Sequence, residues 1–89
     1  MTQAVTVAEA KAFLRVTDSA EDSLISLLID AAQVRVEGAV GLTLDTNSPA
    51  PLRLAVLMLV AHGFEHREAQ APVALVEPWI AAYRTVRLT

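Results

Sequence analysis

From Leu54 to Ala61 eight consecutive residues are apolar, and the chain then turns polar at His62, Glu65, His66, Arg67 and Glu68. An amphipathic surface helix interrupts its apolar residues every second or third position. A membrane span needs roughly 20 apolar residues, far more than this run supplies. The run therefore reads as a helix contacted on every side. In a chain of 89 residues, some of those contacts are expected to come from other subunits.

Composition points the same way. Residues 1–89 read as one small domain, which buries only about 60–65% of its unfolded surface. Yet 54% of the residues are hydrophobic, more than one small core hides, so self-association is expected. The absence of cysteine gives no support for a disulfide framework or a thiolate metal site. No charged segment followed by an apolar one opens the chain, so secretion is not expected. A net charge of −3, a single lysine (Lys11) and dispersed arginines argue against a protein that grips nucleic acid, because phosphate neutralisation needs clustered cations.

The chain divides into four helical segments with no internal repeat. Thr6-Val7-Ala8-Glu9 is a capping box opening a short helix over about Val7 to Leu14. A second cap at Asp18 or Ser19, with Glu21 and Asp22 near the positive helix end, opens a helix over about Ala20 to Val40. Its apolar residues Leu24, Ile25, Leu28, Ile29, Ala31, Ala32, Val36 and Val40 form two adjacent rows, and Leu27 and Val34 fall outside both. Gly41 is placed to end it. The loop from Gly41 to Pro51 alternates Leu42 and Leu44 with polar residues, which allows a brief extended piece, and Asn47-Ser48-Pro49 is turn chemistry. Pro51 suits the first turn of a third helix reaching about Glu68. A fourth helix is expected over about Val73 to Val86, with Pro78 either kinking it or starting a fresh one at Glu77. Trp79, Ile80 and Tyr83 are expected to dock on one side. The fold class is thus all-α, a small bundle of two long antiparallel helices with short helices at either end.

Four constellations carry possible chemistry. His62, Glu65 and His66 match H-x-x-E-H, in which two histidines one turn apart bind zinc and the glutamate acts as base. A hydrolase needs a third protein ligand and a cleft, and the remaining acids are mostly explained by helix ends, so a polar helix terminus is the favoured reading. Asp18, Glu21 and Asp22 read as helix-terminus charge rather than a cation site. Trp79, Tyr83 and Arg84 combine residue types typical of interface anchors, with core closure as the even alternative. A helix-turn-helix reader is disfavoured, because the eleven-residue connection exceeds the usual turn of about 3–4 residues and the third helix is too apolar for a groove. No catalytic residue, cofactor site or metal site is assigned.

In order along the chain, four segments resemble the head–tail connector proteins of long-tailed phages. Val5 to Val16, VTVAEAKAFLRV, is similar to the family's L-T-L-E-E-A-K-x-H-L-R-V. Asp18-Ser19-Ala20-Glu21-Asp22 followed by Leu24-Ile25 and an Ala-rich helix fits its D-D-x-x-E-D-x-x-L-I pattern. Pro51 to Ala69 resembles P-x-x-x-x-A-x-L-x-L-V-A-H-W-Y-E-N-R-E-A, and Pro78 with Tyr83-Arg84 resembles the closing P-Y-R element. Phe13 stands where His is common, Gly63-Phe64 where Trp-Tyr is usual, and His66 where Asn is usual. That last departure alone creates the H-x-x-E-H string. The loops from Gly41 to Pro51 and from Ala69 to Ala74 are short for the pattern.

The resemblance implies a structural protein of the virion, made in the bacterial host cytoplasm. Such proteins form a ring, often of about twelve copies, beneath the portal. They complete the head and present a surface to the next connector, stopper or tail protein, with DNA passing through and no membrane involved. A ring uses heterologous contacts, for which the broad apolar surface of the second helix and the all-round apolar third helix are the two candidate faces. Leu27, Val34, Leu54 and Leu57 are the candidate interface residues. Trp79, Tyr83, Arg84, Arg87 and Leu88 are candidates for docking a partner, with Thr85 to Thr89 and Leu42 to Ser48 as segments expected to order on binding. A different self-associating helical adaptor is the main alternative.

Overall fold

The computed structural model describes residues 3–66 and 73–83. Helix α1 spans Val7–Leu14. The Thr6 hydroxyl accepts from the Glu9 amide at 3.0 Å and the Glu9 carboxylate accepts from the Thr6 amide at 2.8 Å, so the expected capping box is formed. The helix ends in a left-handed cap at Arg15, φ 60°, where the Val16 amide donates to Lys11 O at 2.9 Å.

Helix α2 spans Asp22–Val40 and starts two residues later than the sequence predicts. The Asp18 carboxylate accepts from the Ala20 amide at 3.1 Å, closing a local turn, and the Asp22 amide donates to Ser19 O at 3.2 Å. Asp18 and Ser19 therefore shape the turn, while the N-cap is Glu21, with no side-chain capping bond. Asp22 in the first helical turn meets Lys11 of α1 at 2.9 Å. Gly41 caps the far end with φ 73° and donates its amide to Glu37 O.

Leu44 is buried and Leu42 exposed, as the alternation in the loop implies, but there is no strand among the described residues. The Asp45 amide donates to Ser48 Oγ at 2.9 Å and the Asn47 amide to Asp45 Oδ1 at 2.7 Å. These bonds close a turn between Asp45 and Ser48.

Helix α3 spans Ala50–Glu65 with Pro51 in its first turn. From Pro51 to Phe64 no residue is exposed. The eight-residue apolar run is accommodated because α3 packs against α1, α2 and the C-terminal segment. Residues 67–72, which include the expected end of this helix, lie outside the described residues. Beyond them a 3-10 turn, Val73–Val76, leads into helix α4, Glu77–Ile80, and a second 3-10 turn, Ala81–Tyr83. Pro78 starts a fresh short helix in place of one continuous helix: in the first turn its missing N–H has no intrahelical partner to lose.

The core is built from Ile25, Ile29, Val36 and Val40 of α2, Leu52, Val56, Leu59 and Val60 of α3, and Val76 and Ile80 near the C-terminus. Burying each such side chain contributes about 1.5–3 kcal/mol. Close approach of the two long helices is visible at Gly63, where an added Cβ would lie 3.0 Å from Leu28 Cδ2.

Candidate docking surfaces

The outward side of α2 carries Ser23, Leu27, Ala31, Val34 and Gly38, all exposed. At 100° per residue these five positions fall within an arc of about 80°, opposite the buried row of Ile25, Ile29 and Val36. The stripe contains no charge. Leu27 is 65% and Val34 51% exposed; single exposed aliphatics are ordinary, but these two share one uncharged face with Ala31 and form a patch. The two candidate interface residues predicted on this helix lie together here.

The outward side of α3 is a second uncharged stripe. Leu54, Leu57, Met58 and Ala61 are half-buried at i, i+3, i+4 and i+7. Leu57 and Met58 lean on the core, whereas Leu54 is not among the side chains packed against it.

The aromatic candidates separate. Tyr83 is half-buried against the core, with Ile80 fully buried beside it, so both close the bundle. Trp79, one residue round the helix, is 37% exposed. The three residues therefore do not dock on one side. Arg84, Arg87 and Leu88 fall outside the described residues.

A polar framework holds these surfaces, and its centre is a residue the sequence reading passed over. Gln33 is the one fully buried polar side chain among the described residues. Its Oε1 accepts from the Ala4 amide at 2.6 Å, and its Nε2 donates to Leu44 O and to Glu37 Oε2, both at 3.3 Å. Glu37 Oε2 also accepts from the Leu44 amide at 2.8 Å. The chain entering α1 and the loop leaving α2 are thereby tied to the same helix. On the other side of Ala4, Arg53 Nε donates to the Ala4 carbonyl at 2.9 Å and its guanidinium pairs with Glu9. Hydrogen bonding from Arg53, and then from the Thr6 amide, holds the Glu9 carboxyl below its ordinary value. A signal for Gln33 was present: it sits at i+4 from Ile29 and i−3 from Val36, on the core side. The identity of its partners was not readable from spacing.

At the end of α3 the His62 and His66 rings stack with centroids 4.5 Å apart, and His66 Nδ1 lies 3.2 Å from the His62 carbonyl oxygen. Among the described residues no group of three or more His, Asp or Glu side chains is placed to hold a metal ion. The two rings pack on each other and gather no third ligand from the described residues.

The described residues thus form an all-α chain with an exposed uncharged stripe on α2 and a half-buried one on α3. The family model for the phage gp6-like head-tail connector proteins matches residues 4–77. The chain belongs to this family, a family of phage structural proteins. No curated protein and no solved structure matches it. No helix among the described residues is long and apolar enough to cross a membrane.

Proposed function

We propose that this connector assembles as a ring adaptor between the portal and the tail, completing the head and leaving a channel for DNA. The observation that carries the proposal is the pair of uncharged outward stripes, one holding Leu27 and Val34, the other Leu54 and Leu57. A heterologous ring needs two different faces on each subunit. These stripes supply them on different sides of the same two-helix unit. At least one of the four residues makes an intersubunit contact in this reading. The net charge of −3 suits a conduit through which DNA slides without adhering. Trp79 is the exposed anchor for the partner above or below the ring, with Arg84, Arg87 and Leu88 following it in sequence.

Negative-stain electron microscopy of the purified protein, alone and mixed with its portal, tests the ring. Closed annular particles are expected, bound coaxially to the portal. Compact particles of one or two copies under both conditions would overturn the reading. Removing residues 85–89 is expected to abolish portal binding while leaving the helical content intact. Undiminished binding would show that the tail is not the docking element.

A further inference from the structure

We draw no further inference here: the strongest candidate, the uncharged face of α2 that carries Leu27, Ala31, Val34 and Gly38, carries nothing beyond its exposure, because nothing in the structure shows what covers it.

Discussion

The side-chain oxygen of Gln33 accepts a hydrogen bond from the backbone amide of Ala4 at 2.6 Å, 29 residues away in sequence and buried. The amide of the same side chain reaches Leu44 O and Glu37. One residue therefore satisfies backbone groups from two segments that have no regular partners of their own.

Replacing Gln33 with Leu keeps similar volume but strands the Ala4 amide and the Leu44 carbonyl in a buried place. Each orphaned group costs about 1–3 kcal/mol, so a loss of about 2–6 kcal/mol is expected in urea denaturation. Hydrogen exchange at the Ala4 amide should rise in step. An unchanged midpoint would mean that water replaces Gln33 at both groups.

The Arg53–Glu9 pair predicts a pH dependence. The folded-state value of Glu9 is lowered from 4.5 by Arg53 and the Thr6 amide. A lowered carboxyl stabilises the fold above its unfolded-state value and loses that contribution as pH falls through the folded-state value. Stability should thus decline from about pH 4.5 downward, and E9Q should flatten that part of the profile. Because the Glu9 side chain is 42% exposed, the effect should stay below about 1 kcal/mol.

Arg15 is the one non-glycine residue with positive φ among the described residues. The left-handed conformation costs an L-residue about 1–2 kcal/mol, while glycine adds unfolded-state entropy. Arg15→Gly is expected to raise stability by up to about 1 kcal/mol in thermal melts. A fall would show that the Arg15 side chain contributes more than its backbone costs.

Two aliphatic residues two positions apart on α2 separate folding from assembly. Ile29→Ala should cost about 2–5 kcal/mol, as expected for a fully buried side chain. Leu27→Ala should change monomer stability by less than about 0.5 kcal/mol, because most of its surface is already in water. In the ring, Leu27→Arg should abolish assembly as followed by light scattering. Wild-type assembly of L27R would remove Leu27 from the interface.

The sequence by itself determined the helical class and most boundaries. The capping box at Thr6 and Glu9, the glycine stop at Gly41 and the proline start at Pro51 act within a few residues, so their physics is local and legible. It also marked Leu27 and Val34 as misfits of the core rows, because helical periodicity fixes which residues share a face. Local rules failed where two signals competed: Asp18 was a plausible cap, but it closes a turn on Ala20, and Pro78 could kink or restart a helix. Only the tertiary structure decided that Tyr83 turns inward while Trp79 stays out, and that Gln33 and Arg53 clamp the two sides of Ala4. Those choices depend on which backbone groups are left without partners once the helices have packed. That is a property of segments far apart in sequence, which no spacing along the chain encodes.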